Sequence, residues 1–267
     1  MTTGRISPAR LAVLMMFFSN GAVLSSWASR IPQIQDKLGL SEGALGIVLL
    51  GLAVGVLTAL PLAGGLIVRF SSRSVLLFAG IATVLTLPLL ALAPEAILLW
   101  FALFLFGATT STMDIAMNAQ AVGVEKNVGK PIMSSFHAAF SIGAFVGALM
   151  GSGAVAVGFE PLSHFLIASV IFGGIILSFT RQTIDIDGEI EESGGAIFRL
   201  PVRALWVLGA LGFCATIGEG AMADWSAVYM EDIVGTTEQV APLGFAAFSL
   251  TMTGGRLIGD WLTARFS

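Results

Sequence analysis

Asp114 stands inside a long apolar run, and the residues around it are spaced for a shared purpose. Gly107, Ser111, Asp114 and Asn118 follow one another at intervals of four, three and four, which puts them on one face of a helix. With Thr110 they form a polar stripe ending in a carboxylate and an amide. An ionisable group at membrane depth costs at least about 2.5 kcal/mol on insertion scales, so it is expected to face a cavity or a partner. A carboxylate there suits the uptake and release of protons. The competing reading is that Asp114 lies toward the inner end of its helix and merely reaches interfacial water. Ser134, His137 and Ser141 share a face of the next apolar segment. Histidine titrates near neutral pH, so His137 either shares a proton with Asp114 across the hairpin or stays neutral and hydrogen-bonded.

A second constellation occurs twice. Ser19-Asn20-Gly21-Ala22-Val23-Leu24-Ser25-Ser26-Trp27 returns as Gly218-Glu219-Gly220-Ala221-Met222-Ala223-Asp224-Trp225. In each a polar residue precedes Gly-Ala, a tryptophan follows within two turns, and apolar sequence leads in. Glycine-interrupted hydrophobic segments at corresponding places in two halves point to a transporter's binding site. Glu219 lies between Gly218 and Gly220, so its helix is expected to break there and expose backbone groups to a polar solute. Asn20 is its counterpart, with an amide that both donates and accepts. Asn20, Trp27, Asn118 and Glu219 are therefore the expected solute-binding residues. Asp224, five positions on, points about 140° away on an ideal helix and is expected beside Trp225 at the outer interface. His164 is expected to be structural. No phosphate loop, zinc-ligand spacing or nucleophile elbow is found, so no cofactor, metal or soluble-enzyme activity is expected.

The elements that position these residues are spanning helices. Hydrophobic residues make up 56% of the chain and charged residues 11%, with a mean hydropathy of +0.91. A soluble domain carries about 25% charged residues, so the chain reads as an all-α polytopic membrane protein whose surroundings are the lipid bilayer. Its net charge of −4 then carries no message about nucleic acid, and none is expected as a partner. The lone Cys214 forms neither a disulfide framework nor a metal cluster. Spans need about 20 mostly apolar residues, and eight segments qualify: 9–28, 43–67, 74–93, 97–119, 132–157, 162–180, 203–229 and 239–262. The first resembles a signal peptide, but its echo near Glu219 identifies it as a span. Segments alternating with period two, as a β-barrel requires, are absent. Gly143, Gly147 and Gly151, with Ala144 and Ala148 beside them, form a small-residue seam for close helix packing.

Basic residues orient the chain. With the N-terminus in the cytoplasm, eleven lie inside or at the inner interface: Arg5, Arg10, Arg69, Arg73, Lys126, Lys130, Arg181, Arg199, Arg203, Arg256 and Arg265. Only Arg30 and Lys37 fall outside. The acidic, glycine-bearing stretch 181–202, with Asp185, Asp187, Glu189, Glu191 and Glu192, reads as a cytoplasmic linker. It separates a six-helix bundle, 1–180, from the first two helices of a second bundle, 203–267. A further echo ties the halves together as parallel repeats. Gly64-Gly65 leads to Arg69, Phe70, Ser71 and Arg73, and Gly254-Gly255 leads to Arg256, Asp260, Arg265 and Phe266.

These loops, the six helices and the charged linker resemble the major facilitator superfamily over the whole chain. Trp27-Ala28-Ser29-Arg30-Ile31-Pro32, Met117-Asn118-Ala119-Gln120 and Ser134-Ser135-Phe136-His137, with Gly218–Trp225, resemble bacterial permeases near the fucose-permease-like branch. The resemblance implies secondary active transport of a small polar solute, such as a sugar, amino acid or drug, by rocking of two halves in the inner (plasma) membrane. It also makes Arg69, Arg73, Asp260 and Arg265 gating-loop residues. The family's usual aspartate after the second span is replaced by Val68, so the first latch is expected to be incomplete. Members have twelve helices, and this chain is expected to be an N-terminal two-thirds. Protons are the expected coupling ion. The rival readings are an intramembrane acid-base enzyme using Asp114, His137 or Glu219, and a membrane assembly or sensor piece that does not transport. A duplicated first helix favours transport over an enzyme.

Overall fold

A computed structural model describes residues 7–184 and 203–266. Arg5, most of the expected linker (Asp185, Asp187, Glu189, Glu191, Glu192 and Arg199 included) and Ser267 lie outside the described residues. The described chain is helical throughout, and no strand occurs among the described residues. Its helices are α1 (Pro8–Ala28), α2 (Ile31–Leu38), α3 (Glu42–Phe70), α4 (Ser72–Leu92) and α5 (Ala96–Val128). They continue as α6 (Met133–Ala156), α7 (Pro161–Thr180), α8 (Arg203–Asp232) and α9 (Pro242–Phe266).

Local sequence sets these limits. The Ser7 and Ser41 hydroxyls accept from the backbone N–H groups of Arg10 and Ala44, capping α1 and α3. Pro8, Pro32 and Pro161 sit in first turns, where their missing N–H costs nothing. Gly129 takes a left-handed conformation, φ 69°, and ends α5. The helix therefore runs nine residues past its expected end at 119, because the apolar count stops before the helix does. Lys37 donates to the carbonyls of Ala91 and Ala93 at 2.7 and 3.3 Å, satisfying the end of α4.

Among the described residues, seven helices are long and apolar enough to cross a membrane, the first combining α1 with α2. The chain is a multi-pass membrane protein. The eighth expected span, 239–262, forms α9, which is not among those seven. The break expected at Glu219 does not occur. α8 runs unbroken from Arg203 to Asp232 through both glycines. A glycine inside a helix costs only about 1 kcal/mol, whereas freed backbone groups in hydrocarbon cost several.

Two glycine seams bring the backbones together. A Cβ at Gly143, Gly147 or Gly151 would overlap the Phe18 carbonyl, the Ala22 carbonyl or the Ser29 hydroxyl, so α6 lies directly on α1. Gly21 reciprocates against the Phe140 carbonyl. α3 and α5 meet in the same manner, with Gly51, Gly55 and Gly107 against the carbonyls of Trp100, Phe104 and Leu52. α1 is the centre of the bundle, since it touches α4, α5, α6, α7 and α8. A smaller apolar cluster joins it and α6 to the last hairpin through Ala28, Ala144, Ala148, Phe245 and Ala246.

The turns α3–α4 and α5–α6, the start of α1 and the end of α9 share one end of the bundle. This basic end carries Arg10, Arg69, Arg73, Lys126, Lys130 and Arg265.

Candidate functional site

α8 and α9 form a hairpin that lies against α6 through α9, enclosing a cavity of about 170 Å³ with α1 as its far wall. Its polar lining is Ser141, Thr216, Glu219, Ser249 and Arg256. Phe140, Phe245 and Phe248 supply apolar faces, the last two stacked at 6.0 Å. Arg256 organises the polar side. Its Nη2 donates to both Glu219 oxygens at 2.9 and 3.0 Å. Its Nη1 donates to Ser141 Oγ at 2.6 Å and to the His137 carbonyl at 3.3 Å. One guanidinium thus joins α9 to α8 and α6.

The pair is accessible from the cavity, with the Arg256 side chain 20% exposed and that of Glu219 38% exposed. Carboxylate lone pairs and the hydroxyls of Ser141, Thr216 and Ser249 are the groups that can recognise a polar solute. Because the two charges neutralise each other, the cavity presents hydrogen-bonding capacity without net charge.

The other expected site residues lie elsewhere. Asn20 is buried between α1 and α5, with its Nδ2 3.9 Å from Met117 Sδ and its Oδ1 without a protein partner. The Asn118 amide turns back to the Asp114 carbonyl at 2.9 Å, and Asp114 is half-buried on α5. The His137 ring stands edge-on to Phe17 at 5.2 Å. No hydrogen bond joins Asp114 to His137 among the described residues. α1 packs on both α5 and α6, which scarcely touch one another. Trp27 is 1% exposed and part of the main core. Its ring supports α1 and offers no surface to a solute, because α1 is surrounded at that level. Asp224 is half-buried on α8.

The gating residues also divide. Asp260 accepts from the backbone N–H groups of Ser134 and Ser135 at 2.8 and 2.9 Å. Glu125 accepts from those of Ile132 and Met133 at 2.7 and 2.8 Å. Two carboxylates, one from α9 and one from α5, therefore satisfy the orphan donors at the start of α6 and face the positive end of its dipole. Arg73 donates to the Thr183 carbonyl. Arg69 lies over the Phe70 ring at 5.1 Å, and Arg265 over Trp261 at 6.0 Å.

Three residues emerge only from the structure. Arg256 reads in sequence as one more interfacial cation. Its signal was its place after Gly254-Gly255, a full turn before Asp260, within a run otherwise fit for burial. Gln120 is wholly buried and ties α5 to Ser72 Oγ and to both backbone groups of Ile184 at 2.7 to 2.9 Å. Arg30, counted above as an outer charge, is 2% exposed and donates to His164 Nδ1 at 3.3 Å and the Phe159 carbonyl at 2.9 Å. His164 is thereby a packing residue of the α1–α2 bend.

Comparison with known proteins places this geometry. The family model "Major Facilitator Superfamily" matches residues 11–267. An uncharacterized transporter of Sinorhizobium fredii is 38% identical over 250 residues, covering 94% of this chain and 66% of the relative. An uncharacterized MFS-type transporter of Yersinia pestis is 36% identical over 251 residues, covering 94% and 65%. The crystal structure of a mutant of the nucleoside transporter NupG superposes with a TM-score of 0.71 at 15% identity, covering 96% of this chain and 68% of that one. The chain belongs to the major facilitator superfamily. Neither its family nor its fold is that of an enzyme. It spans about two thirds of the length of these curated relatives.

Proposed function

We propose that this chain supplies spanning helices of a secondary active transporter in the bacterial inner membrane. The cargo is a small polar solute, driven by protons, and the basic end is cytoplasmic. The observation that carries this reading is the cavity at the contact of α6 with the α8–α9 hairpin, where Arg256 holds Glu219 and Ser141 together. A solute bound there touches both sides of the junction, so it can couple its own binding to their relative movement. Glu219 and Arg256 hold the solute. Asp114 is the coupling carboxylate on α5, Asn20 and Asn118 are further polar contacts for the solute that lie outside this cavity, and His137 tunes the junction from α6. Asp260 is the latch at the basic end, which must leave the start of α6 for that end to open.

The test is a thermal-shift screen of the purified chain in detergent against neutral sugars, nucleosides and amino acids. Binding to the folded state raises the melting temperature by mass action. One solute class is expected to stabilise wild type, with the shift lost in Glu219→Gln and Arg256→Gln. A shift of full size in both variants would place the solute elsewhere.

A further inference from the structure

A second cavity lies remote from the charge pair. It is a groove of about 440 Å³ between the basic-end halves of α3 and α4 and the middle of α5, within the size range of small-molecule sites, roughly 300 to 1,000 Å³. Its origin is visible in the glycines of α3. Gly51 and Gly55 press onto α5, but a Cβ at Gly64 or Gly65 would meet nothing within 4 Å. α3 therefore packs tightly at one end and diverges at the other, and Leu66 and Phe70 look across a gap at Phe78, Ala82 and Thr112. The threonine hydroxyls in the wall are turned away, Thr109 to the Phe106 carbonyl at 3.0 Å and Thr112 to the Ala108 carbonyl at 2.8 Å. The wall is thus hydrocarbon in character. Phe70 and Phe78 are 51% and 74% exposed.

The mouth differs from the wall. Arg69 is exposed at the last turn of α3, and its guanidinium lies over Phe70, a wall residue. Among the described residues its contact is that ring, and no carboxylate pairs with it. An apolar slot with a cation at its rim, at the basic end of a membrane bundle, matches one molecule in both of its parts.

We infer that the α3–α4–α5 groove binds one anionic phospholipid, its acyl chain lying between Phe70 and Phe78 and its phosphate on Arg69. Basic pockets between spanning helices hold anionic headgroups in this way, and an acyl chain fills a dry gap that water would not.

Native mass spectrometry of the purified chain tests this, with phosphatidylglycerol and phosphatidylcholine of identical acyl chains added in detergent. Wild type is expected to retain one phosphatidylglycerol several-fold more readily than phosphatidylcholine. Arg69→Gln is expected to bring that ratio to about one while still retaining lipid. Ala82→Trp, which fills the groove, is expected to lose both, with an unchanged helical circular dichroism spectrum showing that the bundle is intact. Phenylalanine at Ala82 serves as a milder filler should the tryptophan variant not fold. Retention of neither lipid by wild type would overturn the inference. An undiminished phosphatidylglycerol preference in Arg69→Gln, or undiminished binding in a folded groove-filled variant, would also overturn it.

Discussion

Arg256 Nη2 lies 2.9 and 3.0 Å from the two carboxylate oxygens of Glu219, and the same guanidinium reaches Ser141 at 2.6 Å. This contact ties α6 to the α8–α9 hairpin. Removing one partner leaves the other charge unmatched in a largely apolar setting, whereas removing both leaves two neutral amides. Glu219→Gln and Arg256→Gln should therefore each destabilise the chain, and the double variant should lose less than their sum. The expected coupling is about 1 kcal/mol, since both groups are partly exposed. Denaturant unfolding in detergent measures it, and additive losses would show that the pair contributes nothing.

The α1–α6 seam makes a steric prediction. Gly147→Leu places a branched side chain where the Ala22 carbonyl already stands, so the two helices must separate. Its melting temperature should fall clearly below that of Leu98→Ala, whose side chain is 45% exposed. Equal melting temperatures would mean that the seam tolerates bulk.

The latch at the start of α6 is a capping interaction made by a distant helix. Asp260→Asn keeps the shape but weakens acceptance from the Ser134 and Ser135 amides. A loss of about 0.5–2 kcal/mol is expected locally, read as faster hydrogen exchange at residues 133–136 with little change in α1. Unchanged exchange would show that Glu125 alone holds that helix end.

How far the sequence revealed this architecture depends on the residue. Apolar runs marked the helices, and Gly143, Gly147 and Gly151 marked their seam, because both follow from spacing within one helix. Glu219 was legible as a carboxylate between glycines in an apolar run. Its partner was not. Arg256 lies 37 residues away, and only the register of the α8–α9 hairpin brings the two together. By charge alone it belonged with the interfacial cations. Gln120 and Arg30 were obscured for a similar reason, since burial of a polar residue near a helix end is decided by what packs over it. The expected break at Glu219 failed because a spanning helix keeps its backbone bonds even where glycine weakens them. The Asp114–His137 pairing failed as a geometric expectation because neighbouring helices in the chain, α5 and α6, are separated in space by α1.

Proton coupling through Asp114 is the central claim, and uptake by the protein in proteoliposomes tests it most directly. The solute is the one that stabilises wild type in the thermal screen, and the driving force is an imposed pH difference. A carboxylate that must bind and release a proton in each cycle is replaced in Asp114→Asn by a fixed neutral mimic of its protonated form. The account predicts that this variant still exchanges solute across the membrane when concentrations are equal, and no longer accumulates it against a gradient. Asn20→Ala should weaken uptake while leaving its dependence on the pH difference in place. Accumulation by Asp114→Asn to the wild-type level under the same pH difference would contradict the assignment.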